Sequence, residues 1–172
     1  MLVGSENDGP YYLVERDRHH ANLYAVLVGS SAKARKGTSY GRVRDAFKRL
    51  PDFAQWKGES KGLSTGEGLI HAVRDAREEN KENNHGEIVT EITDAGIADK
   101  RLLVMEPEFA RVLRAADRPG NILSAIVRDG WDSGDLRTMT KSDPAKATNA
   151  HISIIGHITA DELRAELTAT DM

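Results

Sequence analysis

The chain has 172 residues, of which 30% are charged and 39% belong to the hydrophobic group, with a formal net charge of −3 and no cysteine. That length and mixture predict one globular domain spanning residues 1–172, with enough apolar side chains for a core. No apolar run approaches the 18 to 20 or so residues that cross a bilayer, and Met1 to Pro10 is polar, so neither a membrane span nor a signal peptide is read and a cytoplasmic protein is expected. Without cysteine, disulfide scaffolds, thiolate zinc sites and a cysteine nucleophile are excluded.

In chain order, Tyr11 to Glu15 is a short apolar stretch and Arg16 to His20 a charged turn. Tyr24 to Val28 is apolar at every position and rich in strand formers, the pattern of a strand buried on both faces of a parallel sheet. Gly37 to Leu50 predicts a helix, with Val43, Phe47 and Leu50 spaced four and three apart and Pro51 stopping it. Four glycines between residues 57 and 68 mark a loop, followed by a short helix over Glu67 to Asp75. Ala76 to Gly86 is so polar that it predicts an exposed, mobile loop, while Glu87 to Ile92 fits either a strand or a helix edge.

Arg101 to Met105 is the second buried-strand pattern, and helical spacing follows in Glu108 to Ala116 and Asn121 to Trp131. Leu136 to Thr140 and Ala145 to Thr148 flank the turn signal Asp143-Pro144, which predicts a β-hairpin or an extended excursion. Ile152 to Ile158 is the third buried strand. Thr159 with Glu162 forms a capping-box pattern opening a helix through Leu163 and Leu167.

Charge is unevenly spread. Residues 33 to 49 hold seven bases (Lys33, Arg35, Lys36, Arg42, Arg44, Lys48, Arg49) against Asp45, a net +6, so the rest of the chain carries −9. The bases begin in the loop between the first buried strand and its helix, where a phosphate cradle belongs. Gly29, Ser30 and Gly37 would let backbone N–H groups turn toward an anion. Lys33, Arg35 and Lys36 would supply charge, and Thr38 or Ser39 a hydroxyl for Mg²⁺. The strict GxxxxGK[ST] spelling is not met, because Ala34, Arg35 and Lys36 occupy its second glycine, lysine and hydroxyl positions. A plain basic loop opening a surface helix is the alternative.

Other chemistry-bearing residues are sparse. Glu106 is the first carboxylate beyond the second strand, where a strand-end acid would sit near Mg²⁺ and an attacking water; alternatively, Glu106 and Pro107 simply open the next helix. His157, near the end of the third strand, is a candidate γ-phosphate sensor or a structural histidine. Lys61 to Ile70 gathers small residues around Glu67, as a loop approaching a ligand or a backbone closely would. Arg128 or Arg137 would serve as an arginine finger for a neighbouring subunit or as a surface ion-pair partner. The remaining histidines lack metal-like spacing, and no G-x-S-x-G occurs.

Four runs, LVGSSAKARKGTSYGRV, GLSTGEGLI, DKRLLVMEPEFARVL and the stretch from GNILSAIVRDGWD to HISIIGHITADEL, together resemble a group of phage, plasmid and bacterial proteins. These are described as primase- or helicase-associated P-loop ATPases with a RecA-like core or as domains of unknown function. The resemblance covers residues 11 to 168. It implies a three-layer α/β core with a mainly parallel sheet, belonging to a longer and here incomplete ATPase. It also implies ATP and Mg²⁺ as ligands, DNA of a replicating mobile element as partner, and an enzyme of the helicase-like ATPase kind, with homo-oligomers conceivable. Carried onto this chain, Lys36 holds phosphate, Thr38 or Ser39 holds Mg²⁺, Glu106 is the strand-end acid and His157 the sensor. Where the family commonly has glycine, this chain has Ala34. The rival expectation is a non-catalytic domain whose segment 33 to 49 contacts nucleic-acid phosphates.

Overall fold

The computed structural model describes residues 10–30, 36–83, 85–140 and 144–170. A hairpin of β1 (Tyr11–Val14) and β2 (Asp17–His20) leads into β3 (Tyr24–Gly29). Helices α1 (Lys36–Phe47) and α2 (Pro51–Gln55) precede β4 (Glu59–Ser60) and α3 (Gly66–His71). A second hairpin, β5 (Arg77–Glu82) with β6 (Ile88–Asp94), is followed by β7 (Arg101–Glu106), α4 (Phe109–Ala116) and α5 (Leu123–Asp132). The short strands β8 (Leu136–Arg137) and β9 (Lys146–Ala147) pair before β10 (His151–Thr159) and α6 (Ala160–Thr170) close the described chain.

The molecule is mixed α/β around a four-stranded sheet ordered β3-β10-β7-β4, every neighbouring pair parallel. From β3 the chain crosses to the far edge at β4, then returns one strand at a time through β7 and β10. Strand alternation fixes which side chains face which layer. Leu102 and Val104 of β7 lie level with Ile152 and Ile154 of β10. All four join Leu69, Ile70, Leu123 and Ile126 from α3 and α5 in the main core. Gly156 stays bare because Phe109 of α4 occupies the space: a Cβ there would stand 2.4 Å from the phenyl ring.

Three elements depart from the sequence reading for identifiable reasons. Tyr24–Gly29 is a parallel strand as expected, but it forms the sheet's edge, leaving Val26, Leu27 and Val28 about half exposed instead of buried on both faces. Arg77–Glu82, read as loop, is a strand whose signal is its partner and not its own apolar content. It pairs antiparallel with Ile88–Asp94 in an arm exposed along nearly its whole length. The charged segment Asp17–His20, read as a turn, is likewise a strand, paired with Tyr11–Val14 across a turn where Glu15 takes φ 56°. Pro51 both follows α1 and opens α2, a position where its missing N–H costs nothing.

Other expectations match. Strands β7 and β10, helices α4 and α5, and the β8–β9 hairpin fall where the patterns put them. The Thr159 hydroxyl caps the Glu162 N–H at 3.2 Å while the Glu162 carboxylate accepts the Thr159 N–H at 3.0 Å, a reciprocal capping box at the head of α6.

Candidate functional site

Strand β3 ends at Gly29, level with Thr159 of β10, and the chain leaves the carboxyl edge of the sheet through Ser30. The expected contributions of Lys33 and Arg35 lie outside the described residues. Lys36 is the first residue of α1; Gly37, Thr38 and Ser39 follow in its first turn, exposed, with no acid among the turn's residues. A Cβ at Gly37 would meet nothing within 4 Å, so this glycine faces open space. The free N–H groups of such a turn carry partial positive charge, and the two hydroxyls stand beside them.

Helix α1 is tied to β4 by a polar clamp. The Tyr40 hydroxyl donates to one Glu59 oxygen at 2.9 Å and Arg44 Nε to the other at 2.7 Å. Burial, reinforced by the bond to Glu59, pushes the Tyr40 phenol up to about 12, so it stays a protonated donor at neutral pH. The basic helix thus holds a fixed position over the β4 edge through residues that the apolar pattern did not single out.

Glu106 closes β7 with its side chain fully buried. Its Oε1 accepts the backbone N–H groups of Gly62 and of Leu63, the latter at 2.6 Å, and its Oε2 faces Arg111 Nη2 at 3.3 Å. Gly62 takes φ +90°, which glycine reaches without strain, and that conformation turns its amide to the carboxylate. The bound loop borders a cavity of about 150 Å³ floored by Leu102 and Val104. It then runs into Thr65, whose hydroxyl caps α3 by accepting the Gly68 N–H at 3.1 Å. The expected partner of this loop is a ligand or a backbone; the group that Gly62 and Leu63 meet is the side-chain carboxylate of Glu106. Nothing in the spacing of residues 62 and 106 signals this partnership.

Of the residues given catalytic roles, Glu106 and His157 do not converge. Glu106 is level with Gly156, and His157 is the next residue along β10, so alternation sends the two side chains to opposite faces. Gly29 lies three residues further along and two strands across from Glu106, which places their Cα atoms about 14 Å apart from strand geometry. His157 is buried, level with Leu27 of β3. Lys36 opens α1. Arg128 on α5 and Arg137 on β8 are exposed.

This bears directly on Mg²⁺. Both Glu106 oxygens are engaged by donors inside the protein, so Glu106 does not fit as a direct ligand in this arrangement. Among the described residues, no group of three or more His, Asp or Glu side chains is placed to hold a metal ion. Thr38 and Ser39 are the hydroxyls open to one.

A second polar feature lies at the amino end of the sheet and escaped the sequence reading. A cavity of about 190 Å³ is lined by His20, Asn22, Asp132 and His151, among others. His20 Nδ1, Asn22 Oδ1 and His151 Nε2 are buried there with no hydrogen-bond partner among the described residues. The two imidazoles stand perpendicular with centroids 6.4 Å apart. Burial, together with the charges of His20 and Arg101, lowers the His151 pKa to about 4, so it is neutral at pH 7.

No family model matches the chain, and no curated protein matches it significantly. Among the described residues, no helix is long and apolar enough to cross a membrane.

Proposed function

We propose that the chain is an ATP-binding P-loop module with a RecA-like core, acting in the replication of phage, plasmid or other mobile DNA. One observation carries the nucleotide part: a parallel strand, β3, delivers a basic, glycine-containing loop from its carboxyl end straight into the first turn of α1. Ligands of open parallel sheets collect beyond the carboxyl ends of the strands, and helix N-termini favour phosphate. In this reading backbone amides of the 29–39 segment and Lys36 bind the phosphates. Thr38 and Ser39 are the residues to hold Mg²⁺, which when bound neutralises phosphate charge. Glu106 acts from the interior by fixing the 61–65 loop, and no hydrolytic step is assigned to it.

The test is titration of a fluorescent ATP analogue with and without Mg²⁺. Saturable binding is expected in the parent, weakened at least tenfold in Lys36→Ala, with the Mg²⁺ response lost when Thr38 and Ser39 are both alanine. Absence of binding by folded parent protein overturns the proposal.

A second reading has its own observation. Arg42 and Arg49 are exposed and make no hydrogen bond or ion pair among the described residues, as bases reserved for nucleic-acid phosphates would be. That reading requires DNA or RNA binding that falls steeply with salt and ignores ATP.

A further inference from the structure

The β5–β6 arm and helix α1 expose complementary surfaces. The arm, residues 77 to 94, holds six acids and two bases, a net −4. Its register puts Ile88 opposite Glu82, Thr90 opposite Asn80 and Ile92 opposite Glu78, so these six residues share one face. Ile88 is 76% exposed and Ile92 62%. The Glu78 and Glu82 side chains make no hydrogen bond or ion pair among the described residues. Two large exposed aliphatic side chains beside two carboxylates make a small apolar patch with an acidic border.

Helix α1 has the converse surface. Val43 and Phe47, four apart on α1, share one side of the helix, and Leu50 follows in the turn beyond it; they are 52%, 40% and 48% exposed. Phe47 also leans on Phe53, with ring centroids 5.7 Å apart, which steadies the stripe. Among the described residues, the side chains of Arg42 and Arg49 beside it make no hydrogen bond or ion pair. Ile88 to Ile92, and Glu82 to Glu78, span about 13 Å of strand. Val43 to Phe47 spans about 6 Å of helix, and the turn after α1 carries the apolar side chains on to Leu50 and the bases on to Arg49. Apolar faces apolar while two carboxylates face two guanidinium groups.

We propose that the acidic arm of one protomer docks on the α1 stripe of a second copy of the chain. Arm and stripe are different patches, so two protomers close as a two-fold pair where both contacts form at once, and otherwise each offers its arm to one neighbour and its helix to another in a ring or an open chain. The charges set partner and register, and the two isoleucines and Phe47 supply the buried area. The assembly does not depend on the nucleotide reading, because no residue of the 29–39 segment takes part.

Sedimentation velocity over a concentration series, at low and high salt and after nuclease treatment, tests this. Wild type is expected to associate with concentration, more weakly at high salt. Ile88→Glu combined with Ile92→Glu removes the apolar contact on an exposed arm and is expected to weaken association at least tenfold, with circular dichroism unchanged. Glu78→Arg with Glu82→Arg, and separately Arg42→Glu with Arg49→Glu, should each give monomers. An equimolar mixture of those two variants should associate again, because the reversed arm of one fits the reversed helix of the other. Wild type that stays monomeric, association insensitive to the arm variants, association abolished by nuclease, or a mixture that stays monomeric overturns the proposal.

Discussion

Glu106 Oε1 accepts the Leu63 N–H at 2.6 Å across 43 residues of sequence, and the same oxygen also takes the Gly62 N–H. A buried carboxylate bound this way holds a loop in place through its charge, and its removal leaves two amides facing a cavity.

Glu106→Ala is therefore expected to destabilise the fold by about 3 kcal/mol, from buried donors left unsatisfied and a void in their place. Glu106→Gln keeps an acceptor oxygen and is expected to cost about half as much. Urea denaturation measures both, and hydrogen exchange at Gly62 and Leu63 should speed up in each. If ATP-analogue affinity in Glu106→Gln drops as far as in Lys36→Ala while stability barely changes, the carboxylate touches ligand and the loop-clamp role is wrong.

Gly156→Ala puts a Cβ against the Phe109 ring. The strand cannot move away without breaking its pairing to β3 and β7, so the ring must shift, at a cost of about 1–3 kcal/mol. Phe109→Leu should recover part of it, and a double-mutant cycle in urea should show coupling of more than about 0.5 kcal/mol. Additive losses would contradict the contact.

His151 gives the fold a pH response with a definite sign. Its native pKa is lowered to about 4 against about 6.5 unfolded, so the unfolded chain binds the extra proton. Its contribution is full above about pH 6.5 and is lost as pH falls toward 4. Asp94, held down to about 2 by the Arg74 guanidinium, loses its own contribution only at lower pH. Denaturation at pH 7 and pH 4.5 should show a drop in wild type that His151→Gln largely removes; equal drops in both proteins would rule out this histidine.

The arm is anchored at its base by Arg74, which donates to both Asp94 oxygens at 2.5 and 3.0 Å. Gly96, at φ +65° against the Asp75 backbone, lets the chain turn back into the body. Asp94→Ala is expected to raise protease cleavage within residues 77–94 while leaving the global melting midpoint nearly unchanged. A cooperative loss of the whole fold would show that the arm is integral to the core.

The sequence was most readable where burial is simple. The β7 and β10 runs are covered on both faces and read as continuous apolar strands, and the Thr159–Glu162 cap is spelled out by two residues three apart. It was least readable where structure depends on distant pairing. Arg77–Glu82 has no apolar alternation and becomes a strand only because Ile88–Asp94 lies beside it. The partnership of Gly62, Leu63 and Glu106 is equally silent, since two amides and a carboxylate 43 residues apart leave no periodic trace. The basic, glycine-bearing connection after β3 was legible as a position, whereas the opposed directions of Glu106 and His157 follow from register, which only the folded sheet supplies.

The edge position of β3 also governs how the protein behaves in the test tube. Among the described residues β3 has a strand partner on one side only, β10, and it exposes Val26, Leu27 and Val28 with no lysine or proline to discourage another strand from adding. Leu27→Lys is expected to reduce light scattering of concentrated, warmed protein without disturbing the main core, to which Leu27 does not belong.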